Sequence, residues 1–525
     1  MTTRIKLRRD TAANWLDANP ILSAGEPGVE TDSRQIKYGD GVTPWRDLDY
    51  ANTKIKSMTP VTVTTQDPHT WVNMIGKPKN ACLAAFLAYD SQGNLLVASQ
   101  AYGGATGYDS PLVNISKFDE AGNTIWSRDI PSNEFNNYAG GVAVDSLDNV
   151  YVAISIWNGS NYTYGTVLKL AGLDGATRWI ESFDNNQYNW PAGIDVGPDD
   201  QPVVIGTTGG DHNRGFAIKF NSASGDITQA KIWNSSADTA ITGMAIDSDN
   251  NVIISGLGYN TDTDTNFALV QKLDPTLTPI WTKSIPTVKN SRNNTIYDDG
   301  GGDVAVDAAG NIFLTGYFVN YLDGGSSSYI VVMKLNSDGI IQWSRDIRGD
   351  CDAVGNSITV GQDGLVYLAG YTGRLVYVQT NVETVPLSQL LMACYAPDTG
   401  KVLWQRTMDT PDIGFTAPGV NFDTSPQYRA GSCIAVMGDR LALCGSIEPV
   451  GKNGYDYYNC GNIKAWALQI PANGELVDIS GWRLEEGSIP GRYQSFATVD
   501  YTGFGTSVLL NGGQVPMLMW NPIQP

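Results

Sequence analysis

Histidine is almost missing from this chain: His69 and His212 are the only two in 525 residues, and both sit in polar stretches. No G-x-S-x-G, H-E-x-x-H or P-loop string occurs either, which removes the common hydrolase, zinc-protease and nucleotide-binding signatures. Cysteine is sparse as well. Cys82, Cys351, Cys394, Cys433, Cys444 and Cys460 stand without C-x-x-C spacing, so neither a zinc site nor a disulfide scaffold is indicated. Cys433 and Cys444 fall on the two strands of one hairpin and can meet, yet reduced, buried thiols are expected of a chain without an export signal. The opening MTTRIKLRRD lacks the apolar stretch of such a signal, and no window holds about 18 consecutive apolar residues. A soluble chain made in the cytosol, with no membrane insertion, is expected.

Positive charge is also in short supply, with 34 Lys and Arg against 54 Asp and Glu for a net charge of −20. Residues 1–57 hold nine basic and eight acidic side chains, which leaves 25 against 46 for the remainder. So acidic a surface repels phosphate backbones and excludes nucleic acid as a partner.

What the chain has in quantity is a repeated unit. The stretch VAVDAAGNIFLTG, Val304 to Gly316, is an apolar strand, a tight reversal and a second apolar strand. Variants recur as LAYDSQGNLLVAS, VAVDSLDNVYVAI, IDVGPDDQPVVIG, MAIDSDNNVIISG, ITVGQDGLVYLAG and IAVMGDRLALCG, with a degraded eighth copy, ATVDYTGFGTSVLL. The residues closing the first strand are Asp90, Asp145, Gly197, Asp247, Asp307, Gly361, Met437 and Asp500. Such a period marks an array of similar supersecondary units, and the chain exceeds the roughly 250 to 300 residues of a single core.

Two more strands follow each hairpin: an apolar run such as YIVVMKLN or GFAIKFN, then one that often carries Trp, as in NTIWSRDI, ATRWIESF, TPIWTKSI, IIQWSRDI and KVLWQRTM. Four antiparallel strands repeated radially describe the blades of a β-propeller. The first strand is apolar at successive positions, as expected where neighbouring blades cover both faces. Trp71 precedes Asp90 by 19 residues, as Trp126 precedes Asp145, though no blade comes before it. The expected fold is therefore all-β: an eight-bladed propeller over residues 70–525, closed by strand 71–75 joined to C-terminal strands within 495–521. A seven-bladed ring with a separate C-terminal strand pair is the alternative.

In such a blade the first-to-second and third-to-fourth turns share one face, and here they are short. The opposite face carries the long insertions: Trp157 to Tyr164, Tyr188 to Trp190, Pro286 to Gly302, Phe318 to Ser328, Arg374 to Ser388, Asp409 to Arg429 and Val450 to Asn462. Recognition usually resides in loops on a rigid scaffold. The candidate ligand-binding residues are Trp157, Tyr162, Tyr164, Tyr188, Trp190, Tyr297, Tyr321, Tyr455, Tyr457 and Tyr458, whose rings can stack on sugars or anchor a protein interface. The plainer role of any one of them is to pack its own loop. Asp262 and Asp264, with Asp298, Asp299 and Asp303, are candidate oxygen ligands for a structural Ca²⁺, although the first run lacks the Gly and terminal Glu of an EF-hand loop. No other cofactor is expected. The turn aspartates are explained by Asp accepting backbone hydrogen bonds.

The repeat, IAVDxxGN with xhhKhxxxG and a Trp strand, resembles bacterial propeller repeats of the SBBP and quinoprotein type over roughly residues 70–521. Only APDTGKVLW, Ala396 to Trp404, matches the Trp-docking pattern of quinone-dependent dehydrogenases well. That family's cofactor-binding residues find no counterparts here, so a non-enzymatic protein is expected. A quinoprotein-like or glycan-degrading enzyme is the alternative, since paired carboxylates leave no linear signature.

The first fifty residues are different. Arg4 to Arg9 reads as a strand, Asp10 as the N-cap of a short helix ended by Pro20, and the rest as short strands around a Thr31–Arg34 turn. So few apolar side chains need docking or oligomerisation to be stable. RRDTAANWLDANPILSAGEPGVETDSRQIKYGDGVTPWRDLDY resembles the short N-terminal repeat of tail fibre, baseplate and other virion proteins of tailed bacteriophages. The matching elements are R-R-x-T-A-x-x-W, G-E-x-G-x-E-T-D, K-x-G-D-G and T-x-W-x-x-L. The resemblance implies an attachment domain over residues 1–52 that contacts other virion proteins, with Arg8, Arg9, Trp15, Glu26, Asp32, Asp40 and Trp45 as its residues. Residues 53–69 read as a linker. The resulting expectation is a tail fibre or adsorption protein in the virion, made in the host cytoplasm, a homo-oligomer such as a trimer, whose propeller meets a host-surface glycan or receptor. A baseplate or capsid-decoration protein is the alternative.

Overall fold

The computed structural model describes residues 8–24, 26–32, 36–48, 71–75, 82–101, 112–130, 137–157, 163–185, 187–209, 213–233, 239–260, 265–286, 301–322, 325–347, 353–378, 383–408, 433–447 and 462–469, and four short strands beyond. The chain divides into two compact units, Met1–Thr65 and Gln66–Pro525.

In the first unit, strand Arg8–Asp10 pairs in parallel with Pro27–Glu30, which pairs antiparallel with Ile36–Tyr38. Helix Ala12–Ala18 is capped by Thr11, whose hydroxyl accepts from Asn14 N at 3.3 Å. Asp10, the expected cap, instead accepts from Thr11 N and from the Asn14 side chain. Trp45–Asp47 is a 3-10 turn where a strand was expected, because Pro44 and the buried Trp45 ring direct the chain inward. Among the described residues its core is Trp15, Leu22, Trp45 and Leu48, and the two indoles stack 4.1 Å apart. The linker and its expected strand at Val61 to Thr65 lie outside the described residues.

The second unit is all-β. Among the described residues, seven sheets each contain four strands in meander order. The first blade is Cys82–Tyr89, Leu95–Ala101, Leu112–Phe118 and Thr124–Ile130; the second runs from Asn137 to Phe183, the third from Asn189 to Trp233 and the fourth from Thr239 to Pro286. The fifth runs from Gly301 to Ile347 and the sixth from Ala353 to Met408. The last consists of Cys433–Met437, Arg440–Ile447, Asn462–Gln469 and, returning to the start of the chain, Trp71–Ile75.

This corrects the expected closure. Trp71–Ile75 does complete a blade, but its partner is Asn462–Gln469, with Trp71 opposite Ala467. Among the described residues no eighth four-stranded sheet is present, and Leu484–Glu486, Val499–Asp500 and Gly505–Val508 pair with the outer edges of the sixth, fourth and third blades. The outer edge of the third strand, Asn462–Gln469, takes the N-terminal segment. The inner strands pack in order around the ring, and the last blade packs on the first.

Four of the first turns are built by the Asp that closes the strand, Asp90, Asp145, Asp247 and Asp307. Asp90 Oδ1 accepts from Gln92 N and Asn94 N, and its Oδ2 accepts from the Asn94 side chain at 2.8 Å. The residue before that Asn has positive φ: Gly93 at 81°, Asp148 at 61° and Asn250 at 63°. The core lies between blades. Leu96, Ala98, Val113, Ile115 and Trp126 of the first pack on Val142, Val150, Val152, Ile154 and Leu168 of the second.

The Trp strands lock this packing. Trp126 Nε1 and Lys117 Nζ both donate to Gly172 O, at 3.0 and 2.7 Å, in the last turn of the next blade. Trp179 Nε1 and Lys169 Nζ share Ser222 O in the same way, and Trp281 and Trp343 donate to Ser337 O and Pro397 O. A Cβ at Gly225 would lie 2.9 Å from the Trp179 indole, which is why that turn carries glycine. Gln229, in place of Trp, reaches the Pro275 and Thr276 carbonyls at 3.2 Å once its amide is oriented to donate.

Candidate functional site

Strand lengths distinguish the two faces of the ring. On the short-turn face the turns bond to one another: Ser91 N and Oγ both donate to the Asp148 carboxylate, and Ser146 does the same to Asp200. On the opposite face, the second and third strands of three consecutive blades are extended. They are Val252–Asn260 with Thr265–Leu273, Ile312–Leu322 with Gly325–Leu335, and Val366–Val378 with Glu383–Tyr395. Two insertions read as loops, Phe318 to Ser328 and Arg374 to Ser388, are thus largely continuous ladder, with Leu322 opposite Gly325 and Val378 opposite Glu383. Their runs of Tyr, Val, Ser and Thr favour extended backbone, so the sheet simply continues.

On this face Tyr188 and Trp190 stand side by side, rings 5.2 Å apart and 2° from parallel. The Trp190 ring is exposed and Tyr188 is half-buried. Asn189 between them points inward, its Nδ2 donating to Thr163 O and Gln187 O, while Thr163 and Ser155 hydroxyls donate to Asn189 O. Alternation along the strand therefore presents two rings outward from a fixed base. Tyr164 is half-buried in Thr163–Leu170, Trp157 ends Val150–Trp157, and Tyr321 sits opposite Ser326 near a hairpin tip. Tyr162, Tyr297, Tyr455, Tyr457 and Tyr458 lie outside the described residues, as do His69 and His212. Among the described candidates the structure stacks Tyr188 on Trp190.

Of the candidate Ca²⁺ ligands, Asp262, Asp264, Asp298 and Asp299 lie outside the described residues. Asp303 lies on the inner strand of the fifth blade and bonds to the sixth: its Oδ2 accepts from Ser357 Oγ at 3.0 Å and Ile358 N at 3.2 Å. Asp195 makes the corresponding link from the third blade to Ile246 N of the fourth at 3.1 Å. Burial pushes both carboxyls up to about 6. Among the described residues no three His, Cys, Asp or Glu side chains group as metal ligands. Asp195 and Ser357 were not singled out from sequence. The only signal was a polar residue within an otherwise apolar inner strand.

In the N-terminal unit most of the candidate attachment residues hold the unit itself together. Trp15 and Trp45 are its core, and Trp15 Nε1 donates to Val29 O. Glu26 accepts from Ser23 N, and Asp32 from Ala12 N at 2.8 Å. Asp40 takes the Thr43 hydroxyl and the Val42 and Thr43 amides, which hold its carboxyl down to about 2. Arg9 is exposed, and Arg8 is on the first strand.

The fold defines an all-β protein of the propeller class that carries a small separate N-terminal unit. Within that unit, residues 5–43 match the family described as the major tropism determinant N-terminal domain, a phage-related domain. No curated protein matches the chain. Among solved structures it is similar to the quinohemoprotein alcohol dehydrogenase of Comamonas testosteroni, at 11% identity over 77% of this chain and 76% of that one, TM-score 0.38. It is also similar to the GH93 α-L-arabinofuranosidase of Fusarium graminearum, at 10% identity over 77% and 98%, TM-score 0.41. Likenesses of this degree assign no activity.

Proposed function

We propose that this chain is a non-enzymatic virion protein of a tailed bacteriophage. Its N-terminal unit joins it to other virion proteins, and the extended-hairpin face of its propeller contacts a receptor or glycan on the host surface. The observation that carries the reading is the match of residues 5–43 to a tropism-determinant domain, in a unit with its own indole core. The exposed Tyr188–Trp190 pair on a rigid base supports recognition at the propeller face. Fluorescently labelled full-length protein, added to cells of strains on which the parent phage grows, is expected to bind and to block infection. Absence of binding, with that face inaccessible to antibody in the intact particle, would instead support a baseplate or capsid-decoration role. Light scattering of the purified chain tests the expected homo-oligomer.

A further inference from the structure

Cys433 and Cys444 lie directly opposite each other across the first two strands of the closing blade. Neither is in a disulfide. Cys444 is fully buried between this blade and the first, among Leu87, Leu95, Val97, Phe118 and Ala442, whereas Cys433 is half-buried on the inner strand. Opposed residues of an antiparallel pair hold their Cβ atoms about 4.5–5.5 Å apart. A disulfide spans roughly 3.5–4.5 Å, so a small closure of the hairpin suffices.

The two sulfurs are not equivalent. The Cys444 thiol donates to Cys433, which lowers the Cys433 pKa, while burial drives that of Cys444 up. The Ser357 hydroxyl of the preceding blade lies 3.8 Å from Cys433 Sγ and also bonds to Asp303. The thiolate is the attacking form of cysteine, so Cys433 is the nucleophile and Cys444 the resolving group.

We propose that Cys433 and Cys444 form a thiol–disulfide exchange site that, on meeting a low-molecular-weight disulfide, becomes a cross-strand bond within the closing blade. The Cys433 thiolate attacks one sulfur of RSSR and expels RS⁻, leaving a mixed disulfide. Cys444 gives its proton to that RS⁻ and attacks Cys433 Sγ, expelling a second RS⁻, which takes up the proton Cys433 had lost. Two electrons leave the protein and the oxidant becomes two RSH. The bond ties the short inner strand Cys433–Met437 to its neighbour, in the one blade assembled from both ends of the propeller sequence. The site stands independently of what the propeller binds.

The test uses the full-length chain, reduced, desalted and incubated without oxygen with 2-hydroxyethyl disulfide or oxidised glutathione. After denaturation, alkylation and peptide mapping, the six free thiols should fall by two, with one linked peptide pair containing Cys433 and Cys444. The thermal midpoint should rise by roughly 2 °C or more. In Cys444→Ser the reaction should stop at a stable mixed disulfide on Cys433, and in Cys433→Ser Cys444 should stay unmodified. Six thiols persisting in the unmutated chain, or a bridge between other cysteines, would overturn the proposal, as would equal reactivity of Cys444 without Cys433.

Discussion

Arg440 Nη2 lies 2.7 Å from Glu120 Oε1, and its Nη1 donates to Gly93 O across 347 positions of sequence. Arg440 opens the second strand of the closing blade, and Gly93 and Glu120 lie in turns of the first. A half-exposed ion pair of this kind contributes only about 0.5–1 kcal/mol. Its significance is positional, because it bridges the seam where the ring meets itself.

Closure by Trp71–Ile75 separates the two ends of the chain in importance. Removing residues 493–525 takes away strands that only extend finished blades, and a single cooperative urea transition should survive. Deleting residues 71–75 leaves Asn462–Gln469 without its partner and should broaden or split the transition. Intrinsic fluorescence and far-UV circular dichroism over the same urea series check both. Loss of cooperativity on the C-terminal deletion alone would reverse the assignment.

Trp179 shares the Ser222 carbonyl with Lys169. Trp179→Phe keeps much of the ring contact and loses the indole N–H, so unfolding free energy should fall by about 1 kcal/mol. Trp179→Ala also empties the space over Gly225 and should cost about 3 kcal/mol. Denaturant midpoints at unchanged m-value measure each.

The carboxylates divide by sign. Burial raises Asp195 and Asp303 from 3.8 to about 6 in the folded chain. Their contribution is therefore fully present below 3.8 and lost as pH rises through about 6. Burial acts in the same direction on Asp90 and Asp247, but bonds from Lys117 and Asn94, and from Lys272 and Asn251, outweigh it, and these carboxyls end below 3.8. Theirs is present above 3.8 and lost on further acidification. The urea midpoint should rise as pH falls from 7 to 5, then drop below pH 4, and Asp195→Ala should flatten the limb between 5 and 7. A midpoint that rises steadily from pH 5 to 7 in the unmutated chain would contradict this account.

A Cβ at Gly28 would collide with the Trp45 ring and the Leu22 side chain. Gly28→Ala should therefore unfold the N-terminal unit while the propeller melts as before. Under the proposed attachment role such particles should lack the protein. Calorimetry and immunoblots of purified virions report the two effects separately.

Trp190 is 38% exposed and packs on Tyr188 alone among the described rings. Trp190→Ala should change the thermal midpoint by less than about 3 °C. It should weaken cell binding by roughly tenfold if the stack contacts the receptor. Undiminished binding would move recognition elsewhere on the face.

Much of this architecture was legible in the sequence, since it is local. The Asp-x-x-Gly-Asn turn announces its own hydrogen bonds, and in the first two blades the repeated Trp and Lys meet the Gly-containing turn of the next blade. The partner of Trp71–Ile75 was not legible. Asp500 ends a strand-like apolar run as Asp307 does, and only the competition for the free edge of Asn462–Gln469 decides which segment closes the ring. The inter-blade roles of Asp195 and Asp303 were hidden for a related reason: their partners, Ile246 N and Ser357, lie on other blades, and no spacing rule connects them. Tyr188 and Trp190 were found because alternation on a strand is local, but their parallel stacking depends on how Asn189 is held from behind.

The strand that completes the last blade also joins the propeller covalently to the residues before it. Any tension arriving along residues 1–70 must enter at Trp71, opposite Ala467, and is borne first by a five-residue ladder. The molecule's mechanical fuse is thus its clasp, and sufficient force applied through Trp71 would release the ring there before it disturbed the six blades formed from continuous chain.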